Sequence, residues 1–366
     1  MFSPPRFSAS LSVLFRVKLC REAFEINAKN NGKEGFLKNK KVLVTGGAGF
    51  IGCNLVRRLI KEGAKVRVFD NFSTGKRENL SEVKTDIEIF EGDLRNFALV
   101  LEATKNIEII FHEAALPSVI RSVKAPNTTN EVNITGTLNL LEAARVNNVQ
   151  KILYASSSSI YGDSLILPKK ENMIPNPLSP YAVSKIAGEH YMKVFQHLYG
   201  IETVILRYFN VYGLYQDPTS EYSGVIAKFI AGFINNKPIT VFGDGEQSRD
   251  FTYVDDVVES NVLAANASVS GEVFNVAGGN KYTLNQMIDI LKSIFGKSDY
   301  KVIYTDPRPG DVKHSQADVS KIKKEFNFTV KVSFEKGLRK TIDWYLNAKN
   351  SKKNLRRQKL QASIIG

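Results

Sequence analysis

Tyr181 and Lys185 stand four residues apart in "SPYAVSKIAGEHY". On a helix that spacing puts both side chains on one face. A tyrosine with its ordinary pKa of about 10 is a poor base near neutral pH. A neighbouring ammonium would favour the phenolate and make the phenol usable for proton transfer. The pair alone is common on solvated helices, so its meaning depends on its surroundings. A second candidate is "ASSSSIYGDS", Ala155 to Ser164. It follows an apolar strand pattern and so falls at the carboxyl edge of a sheet, where open α/β folds place their ligands. That position argues for a ligand-facing row of hydroxyls over a solvated loop, with Ser156 turned into the sheet.

The segment "VTGGAGFIG" carries the third piece of chemistry. Gly47-Ala48-Gly49-Phe50-Ile51-Gly52 has the spacing of a dinucleotide-binding turn, and Gly46, Gly49 and Gly52 form a second register. Glycines there allow a tight turn and let backbone amides approach a pyrophosphate at a helix N-terminus. Asp70 closes the next strand, 18 residues past Gly52. A carboxylate at that point accepts hydrogen bonds from a ribose diol and repels a 2′-phosphate. Asn71 and Phe72 follow it rather than an arginine, so NAD is expected over NADP. "EGDLRN" sets Asp93 and Leu94 at the end of the third strand, where an adenine would lie; an aspartate there could equally cap the next helix.

These groups need a frame. Strands are expected at 41–46, 64–70, 87–93, 107–115, 149–158 and 202–211, with helices at 50–63, 127–147 and 179–199. Short apolar runs alternating with amphipathic stretches predict a Rossmann-type, doubly wound parallel sheet covered on both faces. After Tyr212 the alternation loosens. A turn-rich segment (213–224), a helix near 223–236 and a strand at 238–245 predict a smaller, mixed α/β substrate-binding lobe. The expected organisation is an N-terminal extension (1–39), a cofactor domain (40–212, with a return at about 246–278), the lobe mainly over 213–346, and a basic tail (347–366).

The chain has 366 residues and a formal charge of +13. Residues 1–40 hold +5 of it and residues 347–366 hold +6, so the body between them sits at +2. Charge confined to the ends speaks against a nucleic-acid surface. No apolar run reaches the roughly 18 residues of a membrane span. "FSASLSVLFRVKLC" is broken by Arg16 and Lys18 and reads as an arm before the fold rather than a signal peptide. Two cysteines, Cys20 and Cys53, make no disulfide framework and fit a reducing, cytoplasmic setting. His112, His190, His197 and His314 form no ligand pattern, so no metal is expected.

Taken in order, "TGGAGFIG", "DNFSTG", "GDLRN", "HEAA", "NITGTLNLLEAA", "SSSSIYG", "YAVSK", "LRYFNVYG", "GDGEQSRDFTYVDDVV" and "RPGD" resemble the extended short-chain dehydrogenase/reductase superfamily, in its nucleotide-sugar epimerase branch. The resemblance covers about Lys40 to Trp344. It implies NAD as cofactor, a UDP-sugar as substrate and a homodimer paired through helices such as 179–199. It places Phe50 and Ile51 beside the pyrophosphate, and Asp70, Asn71, Ser73, Thr74 and Gly75 on the adenosine ribose. Asp93 and Leu94 would flank adenine. Ala114, Ala115 and Asn133 would line the cofactor, Lys185 would bond the nicotinamide ribose, and Phe209 would complete the nicotinamide pocket. Tyr181 becomes the base and Ser157 its partner on the sugar O4. Asn210, Arg249 and Arg308 would contact the diphosphate, the two guanidiniums suiting it by bidentate bonding. Val241 and Phe242 would hold uracil. His112 is set aside as a catalytic group, because the family uses tyrosine.

The family's reactions begin alike, with a proton leaving the sugar O4 and hydride leaving C4. Its dehydratases and decarboxylases carry acids beside the serine position. Here Ser158 and Ser159 stand there, which implies 4-epimerisation. The residue four after Asp311 is Ser315, a position that gates the sugar 2-substituent in such epimerases. A small side chain there admits an N-acetyl group and implies UDP-N-acetylglucosamine and UDP-N-acetylgalactosamine; a one-residue shift would put His314 in its place. UDP-glucuronate and unsubstituted UDP-hexoses remain alternatives, and a non-catalytic NAD-binding sensor or scaffold a remoter one. Two departures stand out. Asn96 replaces the usual aspartate, and Leu214-Tyr215 replaces a frequent Pro-Arg.

Overall fold

The structure is a computed structural model and describes residues 35–218, 224–307 and 313–348. At its centre is one sheet of seven strands: β1 (Lys41–Thr45), β2 (Lys65–Asp70), β3 (Ile87–Glu91), β4 (Ile109–His112), β5 (Lys151–Ser157), β6 (Glu202–Tyr208) and β7 (Glu272–Val276). They lie in the order β7-β6-β5-β4-β1-β2-β3, and every pairing is parallel. The chain winds outward from β1 through β2 to β3, then resumes on the other side at β4. That switch leaves a crevice at the carboxyl ends of β1 and β4. Val42 and Val44 face one apolar layer and Leu43 between them faces the other. With both faces covered, the strands read as continuous apolar runs.

Helices on both faces connect the strands: α1 (Phe50–Lys61), α2 (Phe97–Ala103), α3 (Gly136–Val146), α4 (Pro180–Tyr199) and α5 (Val254–Asn266). Local chemistry explains their ends. Ser179 accepts from the Ala182 amide at the start of α4, Pro180 takes the first turn, and Gly200 closes the helix at φ 71°. Asn96 caps α2 by accepting from the Leu99 amide at 3.3 Å, so this departure from the family pattern serves as a cap.

Three expected elements differ in detail. The helix expected at 127–147 is interrupted: Pro126–Asn130 is α-helical, Glu131–Thr135 forms one π turn, and α3 follows. The wide turn holds Asn133, whose Oδ1 accepts from the Leu116 amide at 2.8 Å and whose Nδ2 donates to Ser184 Oγ at 3.0 Å. The strand expected to 211 stops at Tyr208, because Asn210 turns the chain at φ 34° and donates to the Asp250 carbonyl. The strand expected at 238–245 is Ile239–Phe242, ended by Gly243 and Gly245 at φ 86° and 81°.

Beyond Asn210, Val211–Tyr212 pairs with Thr252–Tyr253, Ile239–Phe242 with Val302–Thr305, and Ser248–Asp250 with Lys281–Thr283. Helices Val225–Asn235 and Leu284–Phe295 back these ribbons. The chain returns to the main sheet at β7, and α5 packs on α1. One cluster of buried apolar side chains runs from Leu37 to Tyr345. Among the described residues no helix is long and apolar enough to cross a membrane.

Candidate active site

Two joined cavities open along the carboxyl edge of the sheet. The larger, about 1210 Å³, runs from the glycine turn to the serine row. The smaller, about 490 Å³, is lined by residues between Asn210 and Leu284, and the two share Asn210, Gln216 and Arg249 among their walls. Together they exceed the 300–1,000 Å³ or so of an ordinary single-ligand site.

Gly46, Gly49, Phe50, Ile51 and Gly52 line the larger cavity. A Cβ on Gly52 would fall 2.2 Å from the Gly46 carbonyl oxygen, and one on Gly46 would meet the Ala114 backbone at 2.8 Å. Only glycine fits, and bare backbone therefore faces the cavity. The first turn of α1 carries no acid, and its amides have no intrahelical partner, so the cradle suits a pyrophosphate. Asp70 is buried and accepts from the Ala48 and Phe72 amides at 2.9 and 2.8 Å. It therefore holds the glycine turn itself, and each oxygen keeps a lone pair for a ribose hydroxyl. Burial raises its pKa. Asp93 accepts from Arg95 and from Asn71 Nδ2, bonds that hold its carboxyl far below the usual carboxylate range. Asn71, Ser73, Thr74, Leu94, Ala114 and Ala115 line the same cavity.

Besides Lys185, which lies behind the wall, three residues expected at the cofactor do not line this cavity. Gly75 packs under Ala48, where a Cβ would sit 2.9 Å from its carbonyl carbon. Asn133 lies behind the wall and acts through Leu116, which does line the cavity. Phe209 is fully buried beside Tyr161, with ring centroids 6.0 Å apart, and its neighbour Tyr208 faces the cavity instead. Alternation along an extended chain sends adjacent side chains to opposite sides.

Tyr181 and Ser157 both line the cavity wall. Burial pushes the phenol up to about 12, and the neighbouring Ser157 hydroxyl opposes this. Lys185 lies behind it, buried, with Nζ donating to the Ala155 carbonyl at 2.7 Å and 5.9 Å from the Tyr181 ring centroid. Burial brings the ammonium down to about 8, against the pull of Glu113 and Glu189. In the protein without ligands burial is the largest influence on the phenol and sets it high. His112 is likewise internal. Its Nδ1 and Nε2 lie 2.8 and 2.9 Å from the Thr45 and Thr137 hydroxyls. Thr137 donates to the Asn133 carbonyl, so it accepts from Nε2–H, and Nδ1 accepts from Thr45. Burial keeps this ring neutral, with a pKa of about 3.

Sequence reasoning passed over Glu113 and Tyr208. Both line the cavity, and the Tyr208 hydroxyl donates to Glu113 Oε1 at 2.8 Å. A carboxylate therefore does reach the site, from β4 rather than from the serine row. Its signal was present in "HEAA", an acid directly after an apolar strand. Ser156 also borders the cavity, and its hydroxyl donates to Glu189 Oε1 at 2.5 Å. Glu189 in turn is paired with Arg207.

Ser158, Ser159, Asn210, Arg249 and Ser315 also line the larger cavity. The Ser159 hydroxyl is buried without a protein partner, as a ligand-binding group can be. Arg249 donates to the Ser248 and Lys313 carbonyls. His314 turns aside to bond Ser248 Oγ at 2.9 Å and lines neither cavity. Phe242 lines the smaller cavity, but Val241 is fully buried in the core, as strand alternation requires. Arg308 and Asp311 lie outside the described residues. Among those described, no group of three potential metal ligands occurs.

Residues 42–277 match the model of the NAD dependent epimerase/dehydratase family. The chain belongs to this family. Its fold and cofactor follow: a Rossmann-like enzyme that uses NAD. A putative UDP-glucose 4-epimerase of Methanocaldococcus jannaschii is 39% identical over 308 residues, covering 84% of this chain and 98% of the relative. The structure of a UDP-N-acetylglucosamine 4-epimerase from Methanobrevibacter ruminantium, in complex with UDP-N-acetylmuramic acid, superposes with a TM-score of 0.81 at 42% identity, covering 85% of this chain and 99% of that one. A UDP-glucose 4-epimerase of Thermus thermophilus in complex with NAD gives 0.78 at 39% identity, over 84% of this chain and 99% of that one. In this family member the glycine cradle, the Asp70 carboxylate and the absence of an acid in the first turn of α1 all fit NAD.

Proposed function

We propose that this family member is a UDP-sugar 4-epimerase whose principal substrates are UDP-N-acetylglucosamine and UDP-N-acetylgalactosamine. The observation that carries the reading is the placement of Ser157 and Tyr181 in one cavity wall, where the two residues after Ser157 are serines. When bound, NAD supplies the acceptor and donor of a hydride. Tyr181 takes the proton from the sugar O4 and later returns it. Ser157 holds both oxygens in line for that exchange, and Lys185 steadies the phenolate as it forms. A phenol that burial pushes up to about 12 gives its proton up reluctantly and recaptures it readily. Formation of the phenolate thus depends on the charges that binding brings close. With no acid in the serine row, these residues offer no partner for loss of water or carbon dioxide from the sugar.

Ser315 supports the N-acetylated substrates: it is small, lines the cavity and leaves space that a large side chain would fill. The smaller cavity, with Phe242 in its wall, would take the uracil, and Asn210 and Arg249 the diphosphate between the two. Exposed Val119, Ile120 and Val123 on one helix and Val183, Val194 and Leu198 on α4 support a homodimer formed through these faces. The free, buried Cys53 suits a reducing cytoplasm. The test is a panel of UDP-sugars with product separation, applied to the wild type and Ser315→Tyr. We expect conversion of the N-acetylated pair, lost in Ser315→Tyr while UDP-glucose conversion survives. Conversion of UDP-glucose but not UDP-N-acetylglucosamine by the wild type refutes the gate.

A further inference from the structure

We propose that Tyr215 is a positioning residue that ties the cofactor cradle to the wall of the substrate cavity, so that NAD and the UDP part of the substrate strengthen each other's binding. That role presupposes the epimerase reading above, with uracil in the smaller cavity. Tyr215, one of the departures from the family pattern, has a left-handed backbone, at φ 67°. A bulky side chain rarely adopts that conformation, which persists where the surroundings over-determine it. Here they do. The Arg57 guanidinium of α1 lies over the Tyr215 ring, 4.2 Å from its centroid, and the Trp344 ring centroid is 5.1 Å away. The Tyr215 hydroxyl donates to Glu82 Oε2 at 3.2 Å. Both flanking carbonyls are held as well. Leu214 accepts from Asn54 Nδ2 of α1 at 3.0 Å, and Gln216 accepts from the Tyr345 hydroxyl at 2.7 Å.

The next two residues reach the space a ligand would fill. Gln216 borders both cavities, and its side-chain oxygen is buried without a hydrogen-bond partner. Asp217 borders the larger cavity and pairs with Lys76 Nζ. Lys76 belongs to the cradle. Its amide donates to the Ala48 carbonyl at 3.0 Å, and Ser73 and Thr74 just before it line the cavity. Ala48 sits in the glycine turn, and its own amide donates to Asp70 at 2.9 Å. The wall is thus joined to the cradle at three points: Leu214 to Asn54, Tyr215 to Arg57 and Asp217 to Lys76. The Lys76–Asp217 pair is partly exposed and so adds little to stability; its part is to fix position. A ligand that steadies the cradle steadies Gln216 and Asp217 with it, and the second ligand then has less left to order. Linkage makes the effect mutual, so each ligand tightens the other by the same factor.

The test is binding to the full chain, read without turnover. UDP affinity is measured by calorimetry on NAD-loaded and NAD-free protein, and NAD release from the loaded protein is followed with and without saturating UDP. In the wild type NAD should tighten UDP binding by about fivefold or more, the lower end of ordinary coupling, and UDP should slow NAD release. Tyr215→Gly accepts the left-handed backbone without strain but removes the ring, and the coupling should vanish. It should vanish in Lys76→Met too, with a melting midpoint close to that of the wild type. Tyr215→Phe keeps the ring against Arg57 and Trp344 and should keep the coupling. Coupling that survives Tyr215→Gly or Lys76→Met overturns the proposal. So does an equal loss in Tyr215→Phe and Tyr215→Gly, or a wild type in which NAD and UDP bind independently. A wild type that shows the coupling but epimerises no UDP-sugar sinks the epimerase reading and leaves the role of Tyr215 standing. Failure of the NAD-loaded wild type to bind UDP overturns both.

Discussion

Replacing Arg207 with methionine should strand a carboxylate beneath the active site. Arg207 and Glu189 have side chains 4% and 2% exposed and meet through two bonds, Nε to Oε1 at 2.9 Å and Nη2 to Oε2 at 2.7 Å. Arg207 Nη1 also donates to the Tyr161 hydroxyl at 2.8 Å and to the Glu171 carbonyl at 3.2 Å. Methionine restores much of the volume and none of the donors. Removing one partner of a buried pair costs about 3–5 kcal/mol, because the other charge stays buried and alone. At about 2–4 °C per kcal/mol, the melting midpoint should fall by roughly 6–20 °C. The unpaired Glu189 would hold its proton more tightly when folded than unfolded. The deficit should therefore shrink as pH falls toward the ordinary glutamate pKa and grow as pH rises. The assay is thermal unfolding of Arg207→Met and of Arg207→Met/Glu189→Leu at one fixed NAD concentration, since bound ligand adds its own stability. The double variant should recover most of the loss, as apolar replacement of a whole pair often does. A single variant within about 1 kcal/mol of wild type at pH 7 would refute the assignment of a committed buried pair. So would a double variant no better than the single.

Tyr181→Phe should lower turnover by roughly 10²–10⁴-fold, the usual worth of a positioned acid–base group, while the purified protein still carries NAD absorbance; retained activity removes Tyr181 as the base. In Gly52→Ala the new methyl would lie 2.2 Å from the Gly46 oxygen. The glycine turn must then move, and NAD affinity should fall more than stability does. Equal losses, or none, would contradict the cradle. Asp250 is fully buried, accepts from the Gly279 and Ala317 amides at 3.0 and 3.1 Å, and is pushed up by burial to about 7. A carboxyl raised on folding binds its proton more tightly in the native state, so its contribution to stability is present at low pH and lost as pH rises from about 4 to 7. Relative to Asp250→Asn, wild-type stability should decline across that window at up to about 1.4 kcal/mol per pH unit. A constant difference between the two, measured by denaturant titration at several pH values, would dismiss it.

Where the chemistry depends on near neighbours in the chain, the amino-acid sequence by itself was sufficient. The 3.6-residue period put Tyr181 and Lys185 on one helical face, glycine spacing marked the turn before α1, and the alternation of apolar runs announced a parallel sheet with its ligands at the carboxyl edge. Each of these is a local rule, set by helix pitch, strand pleat or backbone sterics. Only tertiary structure decided the rest. It turned Phe209 and Val241 into the core while Tyr208 and Phe242 faced the cavities, because a one-residue phase in an extended chain depends on which side the rest of the protein covers. It gave Glu189 to Arg207 and Glu113 to the Tyr208 hydroxyl, through partners on strands and helices far apart in sequence. It also set the Tyr181 phenol high rather than low. Desolvation depends on everything packed around a group, and no spacing within a motif encodes that sum.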